Sequence, residues 1–318
     1  MDNNGSEDIA SQTGPIHLVP VPWDWRLIIQ LILAITGILG NSLVIHIYLN
    51  TRELKKKTTN TFIAALAGAD LVTSISLTPF PLLSRVPENA IGAFYCRVVF
   101  SANIMWISIV ASIFTLTTLA VERYVAVALP SRYRIIFNKR NTLFIIIAIW
   151  LFGIVINTFE YYGFFVVNQQ CAYILPSTSF QKFLGVAVFL VEFLIPILIM
   201  LVTNCRTIQI LNVNSASFLG KADDQSRAAM SLLRARRRVV NMLMVVIITF
   251  IVCWSPDQIA YLVFNLGLVP VHYLFGPLYR AVVVLAFANS CLNPFIYVLT
   301  NNNFRRALRA VLDYRVGV

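Results

Sequence analysis

Glu122, Arg123 and Tyr124 close one long apolar segment of this chain, and Asn293, Pro294, Phe295, Ile296 and Tyr297 close another. A charged triplet and a proline-bearing polar cluster are costly at membrane depth, so a chain that keeps both is expected to use them as moving parts. Asp70 lies within a third apolar segment, and Glu160, Glu192 and Asp257 lie within three more. The chemistry these residues offer is ion pairing, hydrogen bonding and cation binding. No nucleophile–base pair, metal-ligand spacing or phosphate-cradling loop accompanies them, so no enzymatic activity is expected.

Composition fixes what must hold these residues. Of 318 residues, 58% are hydrophobic and 12% charged, more apolar surface than a soluble domain can hide. Seven apolar stretches, near 25–49, 60–84, 97–128, 142–165, 182–211, 238–266 and 273–299, can each cross roughly 30 Å of hydrocarbon. Only helices or closed barrels satisfy the backbone in lipid, and unbroken apolar runs exclude a barrel's alternation. The expected fold is an all-α membrane protein: a seven-transmembrane helix bundle over 25–299, an N-terminal tail over 1–24 and a short tail over 300–318. The N-terminal tail lacks the basic start and apolar core of a cleavable signal, so the first helix is expected to serve as signal-anchor. After Asn301–Asn303, Phe304, Leu308, Val311 and Leu312 recur at helical spacing between Arg305, Arg306 and Arg309. That pattern suits a short amphipathic helix on the inner leaflet, and no cysteine follows it to carry a palmitoyl anchor.

The net charge of +11 is unevenly placed. Basic residues crowd alternate loops, at Arg52–Lys57, Arg132–Arg140, Arg206–Arg238 and Arg305–Arg309, while the opposite loops and ends carry only Arg26, Arg85, Arg97, Lys182 and Arg280. By the positive-inside bias the N-terminus is outside and the C-terminus cytoplasmic, and no folded basic domain is left to hold nucleic acid. Cys96 and Cys171 fall on the outer side, where disulfides persist: either they bridge, pinning the second outer loop to the third helix, or they remain two thiols. Cys205, Cys253 and Cys291 are expected free. Asn4 opens a glycosylation sequon. Phe164–Val167 and Cys171–Ile174, separated by Asn168-Gln169-Gln170, read as a β-hairpin. The longest inner loop, about 212–236, ends in a basic run before the sixth helix. No internal repeat marks a transporter.

The ordered set of motifs resembles the rhodopsin-like G-protein-coupled receptors over nearly the whole chain. It comprises Gly40-Asn41, Leu66–Asp70, Ser112–Leu116, Glu122-Arg123-Tyr124, Trp150, Pro196, Cys253-Trp254-Ser255-Pro256 and Asn289–Pro294 with Tyr297. The resemblance implies a plasma-membrane receptor whose partners are an extracellular ligand, a heterotrimeric G protein, arrestin and membrane lipid. Glu122, Arg123, Tyr124, Trp254, Pro256, Asn293, Pro294 and Tyr297 would form the activation switch. Arg123 would pair with Glu122 at rest and turn to the G protein on activation; the plainer reading is a snorkelling Arg. Pro256 removes a backbone hydrogen bond beside Trp254. Ile113, Pro196 and Phe250 match the packed connector below the ligand pocket, though such residues also serve as ordinary packing. Asp70, Ser112, Asn289, Ser290 and Asn293 match an allosteric sodium site; the alternative is a protonated Asp70 in a hydrogen-bond network. No other cofactor is implied.

Several positions depart from the family pattern. Counting from Arg123 places Met105 where amine receptors carry Asp, and counting from Cys96 places Asn103 there, because Cys96 lies two residues further away than usual. A local bulge or shifted helix start is expected to absorb the excess. Asn204 replaces a Tyr in helix five, and Arg236 stands where many members have an acid facing Arg123, so appreciable basal activity is expected. Phe287 occupies the position of the retinal-binding Lys, which disfavours a photoreceptor. Asn103, Met105, Glu160, Glu192, Trp254, Asp257, Gln258 and Arg280 are the candidate ligand pocket. Its carboxylates invite a cationic ligand group, unless Arg280 pairs with them internally or water reaches them. The hairpin, Pro79 in helix two and the missing amine Asp favour a peptide ligand. Pro87–Cys96 and Ser112–Tyr124 look similar to the galanin, allatostatin-A and somatostatin group. A small amine or lipid mediator is the alternative ligand, and a transporter or channel the alternative class. The terminal Val316-Gly317-Val318 resembles a weak PDZ-binding end.

Overall fold

The computed structural model describes residues 18–216, 224–270, 273, 276–300, 304–306 and 308–309. Asn4, Val311, Leu312, Val316–Val318 and the loop stretch 217–223 lie outside the described residues. Among the described residues there are seven long helices: α1 (Trp25–Asn50), α2 (Thr58–Ser76), α3 (Ala90–Ala128), α4 (Lys139–Gly163), α5 (Thr178–Ala216), α6 (Asp224–Asn265) and α7 (Pro277–Thr300). Six are individually long and apolar enough to cross a membrane; α2, with 19 residues, is shorter and more polar. Helix α3 packs against α2, α4 and α5, and the ring closes through α5–α6, α6–α7 and α7–α1.

Polarity runs inward. Asn41, Asp70, Ser108, Ser112, Asn289 and Asn293 are buried, while Ile32, Leu39, Phe144, Leu151, Leu198, Val202, Ile248 and Val252 face outward. A water-soluble bundle would place these sets the other way round; lipid reverses the arrangement.

Helix ends follow local chemistry. Asp24, Asn89, Asn138 and Ser177 each accept a backbone N–H in the first turn of α1, α3, α4 and α5, satisfying donors no carbonyl can reach. Pro277 opens α7, where its missing N–H costs nothing. Helix α2 stops at Ser76, not at 84, because Pro79 and Pro81 bar continuation; Pro79 thus lies beyond the helix. Helix α6 begins at Asp224, well before the expected 238, so the run Arg234–Arg238 lies on helix. Its Ala, Leu, Met and Arg content has high helix propensity.

Two crossings contain a π-helical turn. In α3 it spans Tyr95–Phe100, with Ser101 N–H donating to Cys96 O at 3.2 Å, and is followed by Ala102 at φ 54°. This is the bulge that takes up the excess residues after Cys96. In α5 it spans Phe189–Leu194, where Ile195 N–H donates to Leu190 O. Pro196 cannot donate to the carbonyl of Glu192, and the widened turn accommodates that gap.

The disulfide Cys96–Cys171 joins α3 to a hairpin of two strands, Phe164–Val167 and Gln170–Tyr173. Asn168 and Gln169 form the turn with φ of 50° and 59°, the positive pair of a two-residue hairpin turn; Gln170 belongs to the strand. A shorter pair, Leu18–Val19 with Leu82–Leu83, lies at the same end.

Candidate functional site

At one end of the bundle Glu122 is fully buried. Arg123 pairs with it through Nε and Nη2. Thr58 and Thr59 hydroxyls donate to Glu122 Oε1 at 3.1 Å each, and the Tyr133 hydroxyl donates at 2.7 Å. Tyr133 also contacts Thr58 at 2.7 Å. It sits on the short helix Pro130–Ile136 between α3 and α4. Burial, then the adjacent Glu122 charge, pushes the Tyr133 hydroxyl up, so it remains a donor. Tyr124 is half-buried against the core. Among the described residues no acid on α6 reaches Arg123; Arg236 stands half-buried on that helix.

At mid-depth Asp70 is fully buried and accepts from Ser112 Oγ and Asn293 Nδ2, both at 2.8 Å. The amide oxygens of Asn289 and Asn293 are buried without a partner. A carboxylate, hydroxyls at Ser112 and Ser290, and two unclaimed amide oxygens form an oxygen-rich set that fits a small hard cation. Beside it Pro294 leaves the carbonyl of Ser290 without its helical donor. Asn41 Nδ2 fills that place from α1, at 3.0 Å.

Above this layer Ile113, Phe193, Ile197, Phe250, Trp254 and Phe287 belong to one buried apolar cluster, with Phe193 and Phe250 rings 6.3 Å apart and Pro196 buried beside them. Among the described residues Trp254 Nε1 has no hydrogen-bond partner, and below it Tyr297 Oη and Asn204 Oδ1 are also buried without one.

The disulfide end holds the candidate ligand pocket. Asn103 and Met105 are buried on α3, and Asn103 reaches Asn157 O at 3.4 Å. Glu160 on α4 and Glu192 on α5 are close enough to couple electrostatically, and Tyr173 and Tyr261 border them. Burial, then the Glu160 charge, pushes the Tyr173 hydroxyl up. Asp257 instead couples to Tyr279 on α7. Arg280 does not join the carboxylates: its Nη1 lies 3.8 Å from Asp24 Oδ2, at the N-cap of α1. A second helix start carries its own acid, and the nearer one takes the cation.

Sequence reasoning did not single out Thr58, Thr59 and Tyr133 around Glu122, or Tyr173 and Tyr261 around Glu160. Thr58, Thr59 and Tyr261 lie far in sequence from the acid they border, Tyr133 and Tyr173 lie nearer but outside their acid's helix, and no local pattern marks them.

Seven helices with a polar interior, a closed ion pair at one end and a disulfide-pinned hairpin at the other define a multi-pass membrane receptor. Residues 40–297 match the 7 transmembrane receptor (rhodopsin family), and the chain belongs to that family. It is similar to galanin receptor 2a of Danio rerio, 29% identical over 304 residues, 93% of this chain and 81% of that protein. It is similar also to galanin receptor 2b of Danio rerio, 31% identical over 286 residues, 87% of this chain and 72% of that protein.

Proposed function

We propose that this receptor binds an extracellular neuropeptide with a basic group and activates a heterotrimeric G protein by outward movement of α6. The observation that carries the reading is an acidic pocket at the disulfide end and a closed Glu122–Arg123 pair at the other, with the Trp254 cluster and the Asp70 layer packed between them. A ligand that binds better to the state with Arg123 released shifts the population toward it. The likeness to two galanin receptors supports a peptide over a small amine or lipid. In this reading the N-terminus is extracellular, the C-terminus cytoplasmic, and arrestin follows the G protein. Asp70, Ser112, Asn289, Ser290 and Asn293 hold a sodium ion that favours the resting state, a role their oxygen-rich grouping supports.

Arg236 cannot lock Arg123, so basal signalling is expected; signalling no higher than in mock-transfected cells would count against it. The main test is nucleotide exchange by a panel of G proteins in cells expressing the chain, challenged with a neuropeptide library that includes galanin. A peptide response removed by Arg123→Ala at equal surface expression supports the reading. Silence to all peptides, together with a response to an amine or lipid, overturns the peptide assignment.

A further inference from the structure

Among the described residues, Glu160, Glu192 and Gln258 at the disulfide end each carry a hydrogen-bond acceptor with no partner of its own. Glu192 is 7% exposed on the π turn of α5, and neither it nor Glu160 has a hydrogen bond or ion pair among the described residues. The basic residues at this end are engaged elsewhere or exposed. Arg97 donates to Phe164 O at 3.3 Å and stacks on Tyr161 and Phe165. Arg280 faces Asp24, and Lys182 is exposed. A buried pair of like charges without a counter-charge is costly.

The third acceptor lies on α6. Gln258 is 5% exposed and its Oε1 has no partner. Trp254, Gln258, Tyr261 and Asn265 recur at intervals of four, three and four, which places them on one helix face. Two contacts orient that face. Tyr261 couples to both Glu160 and Glu192, and a Cβ at Gly185 of α5 would collide with Asn265. Gln258 therefore lies on the face of α6 that meets α5 and the two glutamates, whereas Asp257, one residue earlier, lies on the side of α7.

We infer that Glu160, Glu192 and Gln258 form a subsite for one guanidinium group, that of an arginine side chain of the ligand. The set offers two carboxylates and the unpartnered amide oxygen of Gln258, from three helices, and a guanidinium offers five N–H donors in a fixed planar fork, against three on a compact ammonium. Arginine bound here ties α4, α5 and α6 together just above Trp254, and its gain in charge-assisted bonds offsets the repulsion between the carboxylates. The inference deepens the peptide-receptor reading and rests on it.

The test uses the full-length receptor purified into nanodiscs, with L-arginine amide, L-lysine amide and L-citrulline amide, whose ureido side chain is uncharged, as probes that share the same α-amine. Thermal melting is followed against probe concentration. Arginine amide is expected to raise the melting temperature, lysine amide less, and citrulline amide not at all. Glu192→Gln and Glu160→Gln are each expected to raise the half-saturating concentration of arginine amide by at least roughly tenfold, as loss of a charged partner implies. Gln258→Ala should have a smaller effect, and the remote Glu53→Gln none. Without probe, the double variant E160Q/E192Q should melt above the wild type, because it removes uncompensated charge; a lower melt means the carboxylates have a structural partner and overturns the subsite. So does an arginine shift that survives in the double variant, or one matched by citrulline amide. Loss of the subsite in a receptor that still shows Arg123-dependent nucleotide exchange leaves the receptor reading standing; absence of that exchange removes the receptor reading itself.

Discussion

Glu122 and Glu192 are both buried glutamates on membrane helices, and their surroundings are opposite. Glu122 accepts from Arg123, Thr58, Thr59 and Tyr133, drawn from three parts of the chain. Glu192 accepts from nothing among the described residues and faces another carboxylate. The Arg123 end is thus satisfied internally, whereas the glutamates at the disulfide end have no partner among the described residues. In the function proposed above, ligand binding completes the second end and the resulting shift of population opens the first.

Neutralising the two glutamates should give opposite results, and this is the largest effect expected. Glu122→Gln leaves Arg123 without its counter-charge, a loss of about 3–5 kcal/mol for a buried pair. It should lower the melting temperature and raise basal nucleotide exchange, while Glu192→Gln raises the melting temperature. Melting shifts of the same sign would break the contrast. Asp70→Asn tests the layer between the ends. Wild-type receptor should melt higher in sodium than in an equal concentration of a bulky organic cation, and the variant should lose that difference.

Tyr133→Phe sharpens the Arg123 end. It deletes a hydrogen bond to Glu122 and a contact with Thr58, about 1 kcal/mol, and so should raise basal exchange roughly fivefold; an unchanged basal rate would show that Tyr133 does not hold the latch. The smallest effect concerns Asp24. Its carboxyl is held below the usual range, first by the Leu27 N–H and then by Arg26 and Arg280. A depressed folded pKa means a contribution that is complete above the ordinary aspartate range near pH 4 and fades as pH falls through the folded value. Asp24→Asn keeps the cap and removes the charge, so it should flatten the acid limb of the melting curve slightly without altering stability below it.

Much of this arrangement was legible in sequence. Long apolar runs and the ordered motifs placed seven helices, and Cys96 and Cys171 do form their bridge. The extra spacing after Cys96 announced a bulge, which is the π turn at Tyr95–Phe100. Elsewhere helix ends were misplaced where hydropathy competes with backbone chemistry. Leu77 through Leu83 is apolar enough to extend α2, but two prolines end it. Arg234–Arg238 is polar enough for a loop, but its propensity is helical. Side-chain partners were the least legible. Arg280 takes Asp24 and not the pocket acids, and Asn41 repairs the carbonyl that Pro294 orphans. These pairings span more than two hundred residues and arise only when the ring of helices closes.

The two π turns carry a consequence for how such a receptor changes over time. One added residue in a helix turns everything beyond it by about 100°. Both turns lie on the disulfide side of the connector, between it and the hairpin. A single inserted or deleted codon at the α5 turn would re-aim the residues at and before Glu192, and one at the α3 turn those before Asn103, while the Glu122–Arg123 pair keeps its register. Divergence in what the receptor recognises can thus proceed by slippage at these joints, without passing through forms that have lost the means to signal.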